Sequence, residues 1–260
     1  MGIAERKERE KQMRRDLILQ SAEAVFFEKG LHATTLDEVA EKAEVSKGTI
    51  YLYFASKEDL YYSLMTNGLS MLLKIFQDTK PEEKSPWDAL LGFGKAYFRF
   101  SQEQSYLFKM LAVVENPVVS EQVSPEAVSR LEEMSNSVLS YVAKFVQRGI
   151  EAGDFRKDVS AYNAVILFWV SLSGVLNLRA RSAMMIHNNS IKKDSVLCEV
   201  DYDLLYDQCM NLLMNFLVAD SNRPGDTTKH HHHGAGNHQN FNGTFNRKKH
   251  KTSKQLKSVK

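Results

Sequence analysis

Apolar residues recur along this chain at helical spacing, and alternation at the two-residue period of a strand is nearly absent. Ile18, Ala22, Val25 and Phe26 form one stripe, which predicts a first helix from about Arg14 to Lys29 with Gly30 as its left-handed stop. Thr35 with Glu38 three residues on forms a capping box, and Leu36, Val39, Ala40 and Ala43 supply the apolar face behind it. Ser46 is the N-cap of a short helix reaching about Phe54, and Ser56 caps a longer one that ends near Phe76, before Pro81. Longer helices follow over Pro86–Gln102, Gln104–Glu115, Pro125–Ala152, Val159–Arg181 and Tyr202–Ala219. Pro86 and Pro125 suit first-turn positions, and Gly153 suits a helix end. Ser182–Val200, with Asn188 and Asn189, reads as a long loop. The fold class this predicts is all-α, with a compact N-terminal unit of three short helices and a larger C-terminal helical domain.

Composition refines the outline. Hydrophobic residues make up 43% and charged ones 25%, with only five prolines, an ordinary balance for a globular helical protein. The net charge of +2 conceals a division. Residues 221–260 carry nine Lys/Arg against Asp226 alone, which leaves 25 basic and 31 acidic residues in the body. With almost nothing to bury, that Gly, Asn, His and Lys-rich tail is expected to be disordered. The expected division is a basic arm over 1–13, a compact unit of short helices over 14–56, a helical domain over 57–220, and the basic tail over 221–260.

Cys198 and Cys209 make neither a disulfide framework nor a zinc site, and a reducing cytoplasm is the expected compartment. The mixed charge of residues 1–16 does not resemble a signal peptide, and Arg6 stands where a myristoylation motif requires Ser or Thr. Val159–Leu178 lacks charge for twenty residues, enough to span a bilayer. Its Ser, Asn and Gly content favours a helix buried in a bundle, so no membrane partner is expected.

Residues 34–57, TTLDEVAEKAEVSKGTIYLYFASK, carry the chemistry. Ala40 and Ala43 are small enough for two helices to meet closely. Val45 fills the turn between them, while Ile50 and Phe54, four apart, bury the inner face of the second helix. Lys47, Gly48, Thr49, Tyr51, Leu52 and Tyr53 remain for the outer face. Glycine permits close approach to a nucleic-acid backbone, threonine can meet a base edge, and tyrosine and lysine can meet phosphates. The competing reading is that Tyr51, Leu52 and Tyr53 are core covered by another helix.

The run Val45-Ser46-Lys47-Gly48-Thr49-Ile50-Tyr51-Leu52-Tyr53-Phe54, followed by Ser56-Lys57-Glu58-Asp59-Leu60, resembles the DNA-binding domain of TetR-type regulators, and the likeness extends over Arg14–Leu64. The resemblance implies DNA contacts at Thr35, Lys47, Gly48, Thr49, Tyr51, Tyr53 and Lys57, mostly to backbone. Leu52 falls where relatives vary and is a candidate for sequence preference. Glu44 departs from the glycine common in that turn. If the site is left-handed, the departure costs about 1–2 kcal/mol.

The resemblance further implies a homodimer joined through the last two helices. Two recognition helices would read a palindromic operator about 34–36 Å apart in double-stranded DNA. Phe168, Leu172, Leu205, Leu212 and Phe216 are the interface candidates on those helices. It also implies repression relieved by a small-molecule effector. Trp87, Phe93, Tyr97, Phe108 and Trp169 are the pocket candidates and favour a hydrophobic or aromatic ligand, although the same residues would serve a plain core. Glu115, Asn116, Asn177, Arg179 and Arg181 are possible polar contacts.

Other classes fit less well. His32 and His187 are the only histidines in the body, and no phosphate loop, paired-carboxylate motif or nucleophile elbow accompanies them. No enzyme activity and no cofactor are expected. His230–His233, on a chain with no core, form no fixed metal site. The basic residues of Arg6–Arg15 and the tail are either solvated charge or sources of salt-sensitive DNA affinity. The remaining alternative is a helical adaptor whose outer face binds protein.

Overall fold

A computed structural model describes residues 2–112, 123–188 and 195–218. Ten α-helices occur among them: α1 Ile3–Ala33, α2 Leu36–Lys42, α3 Lys47–Tyr51, α4 Lys57–Asp78, α5 Pro86–Glu103, α6 Ser105–Ala112, α7 Pro125–Ala152, α8 Ala161–His187, α9 Val196–Glu199 and α10 Tyr202–Leu217. A short 3-10 turn, Pro81–Glu83, joins α4 to α5. Extended pairing among the described residues is a single antiparallel bridge between Phe155 and Val218. The all-α class expected from periodicity is the one observed.

The caps act where the sequence places them. Thr35 Oγ1 accepts from the Glu38 amide at 3.3 Å while Glu38 accepts from the Thr35 amide at 2.9 Å. Ser46 and Ser56 each accept from the amide three residues on, both at 3.0 Å. Pro86 and Pro125 open α5 and α7, and Gly153 closes α7 at φ 82°. These contacts occupy amides that a helix start leaves without partners.

α3 stops at Tyr51, three residues short of Phe54, and three other boundaries differ from expectation. α1 begins eleven residues before Arg14, at Ile3. Its early turns bury nothing but are supported by spacing-four contacts: Arg6 donates to Glu10 at 2.8 Å, and Gln12 to Asp16 at 2.7 Å. Gly30 takes the positive φ of a stop, 74°, yet one more turn, Leu31–Ala33, follows it. The expected loop at 182–200 is partly helical. α8 runs on to His187, and Ser182 Oγ donates to the Leu197 carbonyl of the short α9 at 3.1 Å. Residues 189–194, like Glu115, Asn116 and the basic tail, lie outside the described residues.

α1, α2 and α3 pack around Ile18, Phe26, Val39 and Ile50, all fully buried. α4 leaves this unit and packs chiefly along α7, which also meets α5 and α8, while α10 packs against α8. One contiguous hydrophobic cluster runs from Ile18 to Leu217. Asp59, in the first turn of α4, is buried and its Oδ1 accepts from the Ser124 amide at 2.7 Å, tying the starts of α4 and α7 together. α8 is the one described helix long and apolar enough to cross a membrane, with mean hydropathy 1.5 and a third of that stretch buried.

Candidate nucleic-acid interface and cavity

The turn between α2 and α3 is tight. The Val45 amide donates back to the Ala40 carbonyl at 3.0 Å, and Glu44 sits at φ 53°, the left-handed conformation that glycine would take without strain. A side chain there costs about 1–2 kcal/mol. Ala40 and Ala43 are buried beneath the turn and Val45 is half-buried.

Ile50 and Phe54 face inward, as their spacing requires. Lys47, Gly48, Tyr51 and Leu52 are exposed, with Tyr51 at 52% and Leu52 at 80%. Those two are therefore not core. Tyr53 is half-buried against the core and Thr49 half-buried beside Ser46, whose hydroxyl lies 2.8 Å from its own. A Cβ at Gly48 would meet only Ser46 Oγ, at 3.7 Å. Nothing inside the chain therefore crowds a side chain at that position.

The cations of this face are already engaged. Lys47 Nζ pairs with Asp37 at 2.7 Å, which raises the lysine above its ordinary pKa. Lys57 Nζ donates to the carbonyls of Thr34 at 3.0 Å and His32 at 3.4 Å, so it clamps the end of α1 to the start of α4. Thr35 is exposed, but its hydroxyl serves the α2 cap. Glu38, bonded to Lys29 and then to the Thr35 amide and hydroxyl, is held down at about 2.

A cavity of about 250 Å³ lies in the helical body. α4 contributes Met65, Leu69, Leu72 and Phe76, α7 contributes residues including Leu131, Ser135, Val138 and Val142, and α5, α6, α8 and Met210 close the rest. Of the expected pocket residues, Phe93, Tyr97 and Trp169 line it. Two do not. Phe108 packs edge-on behind Tyr97 with ring centres 5.7 Å apart, and Trp87 is half-buried against the core elsewhere. No charged side chain is among the lining residues. Tyr97 Oη lies 2.7 Å from Ser173 Oγ, and burial pushes the phenol's pKa up. Asn177, Arg179 and Arg181 do not reach the cavity. Arg179 instead pairs with Asp203 of α10 at 3.1 Å.

The interface candidates divide. Leu172, only 4% exposed, has no surface left to cover, and both it and the half-buried Phe168 line the cavity. These two are corrected from interface to cavity. The reason is rotational: an all-round apolar helix leaves its outward side unmarked in the sequence. Leu205 is half-buried, whereas Leu212 at 72% and Phe216 are open. The exposed apolar face of α8 is Tyr162, Ile166 and Val170, spaced by four. The aliphatic rows of α4 and α7 were likewise unmarked, because a cavity wall and a core face share one periodicity.

A capped two-helix turn with an exposed second helix, set on a helical body, defines a helix-turn-helix transcriptional regulator. Residues 18–64 match the family described as bacterial regulatory proteins, tetR family. The chain is 30% identical over 144 residues to the uncharacterised HTH-type transcriptional regulator YhgD of Bacillus subtilis, covering 54% of this chain and 71% of that one. It is 28% identical over 146 residues to the HTH-type transcriptional repressor KstR2 of Mycobacterium tuberculosis, covering 56% and 71%. Similar solved folds include the fatty acid degradation regulator FadR of Bacillus halodurans (TM-score 0.58, 22% identity, 78% of this chain and 98% of that one). FadR of Bacillus subtilis in complex with stearoyl-CoA is another (TM-score 0.59, 19% identity, 77% and 98%). The chain belongs to the TetR family of DNA-binding transcriptional regulators.

Proposed function

We propose that this protein is a cytoplasmic homodimeric repressor of a palindromic operator, released when an apolar small molecule fills the cavity. The observation that carries the reading is α4. It starts three residues after Phe54, which closes the recognition turn, and its later turns wall the cavity from Met65 to Phe76. A ligand that displaces this wall displaces the element on which α3 is mounted. Gly48, Thr49, Tyr51, Leu52 and Tyr53 meet the groove and its edges, with Thr35 and Lys47 beside them. Lys57 acts mainly by fixing the end of α1 to the start of α4, which flank α3. The open residues Tyr162, Ile166 and Val170 of α8, with Leu212 and Phe216 of α10, meet their counterparts across a two-fold axis. The functional boundary falls at 56/57, where the DNA-reading unit of 14–56 gives way to the body of 57–220.

The chemistry of the walls restricts the effector. An uncompensated charge in such a cavity would be heavily penalised, so the buried part of the ligand is uncharged. A cavity of about 150 Å³ holds benzene, so about 250 Å³ suits a medium alkyl chain or a fused-ring body, with any charged head left outside. The stearoyl-CoA complex of the similar Bacillus subtilis FadR supports an acyl tail. Releasing DNA 100-fold requires a preference of about 2.7 kcal/mol for the non-binding state.

The test has two stages. Selection of bound duplexes from a random pool should return a palindrome with half-sites about one helical turn apart. Acyl-CoAs of graded chain length are then titrated against that complex by fluorescence anisotropy. Recovery of no consensus sequence refutes operator recognition. Release that is indifferent to chain length refutes the acyl assignment.

A further inference from the structure

The early turns of α1 bury nothing in the chain, yet their charges are sorted by face. Arg14, Lys11 and Lys7 precede the fully buried Ile18 by four, seven and eleven residues, so they continue the face of α1 that packs on the helix-turn-helix. Arg15 shares the neighbouring rows, preceding Leu19 by four and Ala22 by seven. Glu8 flanks this stripe. The opposite face mixes Glu5, Arg9, Gln12 and Asp16, and at its border Arg6 is neutralised by Glu10 at 2.8 Å. Lys7, Lys11 and Arg14 are exposed and form no ion pair among the described residues.

Position gives the stripe its direction. The Arg15 guanidinium lies over the Phe54 ring, 5.2 Å from its centre, at the end of the recognition turn. The helix therefore leaves the domain beside the end of the recognition turn, and Arg14, Lys11 and Lys7 follow at intervals of about 4.5 and 6 Å along its axis.

We propose that this stripe is a second DNA contact. Lys7, Lys11 and Arg14 bind backbone phosphates of the duplex flanking the sequence read by α3, lengthening the footprint without reading bases. The inference rests on the DNA-binding reading above. Its support is charge complementarity with phosphate and continuity with the recognition face.

The test compares full-length wild type with two variants that lose equal charge, Lys7→Gln/Lys11→Gln on the stripe and Arg6→Gln/Arg9→Gln on the other side. Each is titrated against the selected operator carrying ten flanking base pairs per side, across a salt series. Each phosphate contact contributes about 0.9 to the slope of log affinity against log salt, so the stripe variant of a dimer should lose between about 2 and 3.6. The outer variant should lose less than about 1 on the same scale. On a duplex trimmed to the sequence under α3, the stripe variant and wild type should bind alike. Equal losses in the two variants, or an unchanged slope in the stripe variant, overturn the proposal. If wild type binds no selected operator at all, the DNA-binding reading itself is what fails.

Discussion

Replacing Asp37 by Asn should strengthen DNA binding, although it breaks an ion pair. Asp37 places a carboxylate on the face proposed to meet DNA, 2.7 Å from Lys47 Nζ at the start of α3. That contact neutralises the lysine toward phosphate and adds a negative charge beside the groove. Asparagine keeps the shape and frees Lys47 for one phosphate per protomer, two per dimer. At about 0.9 per phosphate, the salt slope should steepen by about 1.8. Between 50 and 200 mM salt, the variant then loses about 12-fold more affinity than wild type, starting from tighter binding at the low end. Anisotropy titrations of operator and random duplex across that range read both quantities, and a thermal melt checks that the fold is intact. Combining Asp37→Asn with Lys47→Gln should remove the gain. An unchanged slope, or weaker binding at 50 mM, would refute the argument and show that Lys47 remains with Asp37 on DNA.

Further consequences are equally open to measurement. Leu72→Trp should fill the cavity, leaving operator affinity within about threefold while abolishing the response to acyl-CoA, since the indole occupies space intended for ligand. Val170→Glu with Leu212→Glu should convert a dimer to a monomer in sedimentation and abolish operator binding; a persistent dimer would move the interface elsewhere. Gly149→Ala would drive a Cβ into the ring edge of the fully buried Phe155. That overlap should outweigh the helix-propensity gain, costing about 1–3 kcal/mol and lowering Tm by several degrees. A Tm at or above wild type would show that the ring moves aside. Glu38 is depressed in the fold from its ordinary 4.5 to about 2, so it stabilises above pH 4.5 and the benefit disappears as pH falls toward 2. Urea midpoints of wild type and Glu38→Gln should converge over that window, and a constant difference would contradict the assignment.

The legible parts of the fold were those marked by special chemistry. Thr35, Ser46, Ser56, Pro86, Pro125 and Gly153 announce ends because amides and carbonyls there require particular partners or backbone angles. The outer face of α3 was legible because Ile50 and Phe54 leave Tyr51 and Leu52 nowhere to be buried. The start of α1 was not. A run such as Glu8-Arg9-Glu10-Lys11 buries nothing, and a solvated coil and a helix held by spacing-four pairs share that composition. Leu172 and Phe168 were misplaced because α8 is apolar on all sides, and its rotation depends on neighbours far along the chain. The roles of Leu69 and Val138 depend on a void, and a void has no residue of its own.

The bond from the Ser124 amide to Asp59 has a mechanical consequence. It fastens the first turn of α4 to the first turn of α7 inside the protein, where a hydrogen bond to a charged group is worth about 1.5–3 kcal/mol. Coupling between two sites is typically about 1–3 kcal/mol, so a ligand that had to break this fastening would exhaust its own leverage. On the proposed release mechanism the two helices would pivot as one frame about that pin, with the cavity between its arms and the recognition turn at its near end. Spreading the arms a little would then rotate what is mounted beyond the pin, as in a pair of tongs.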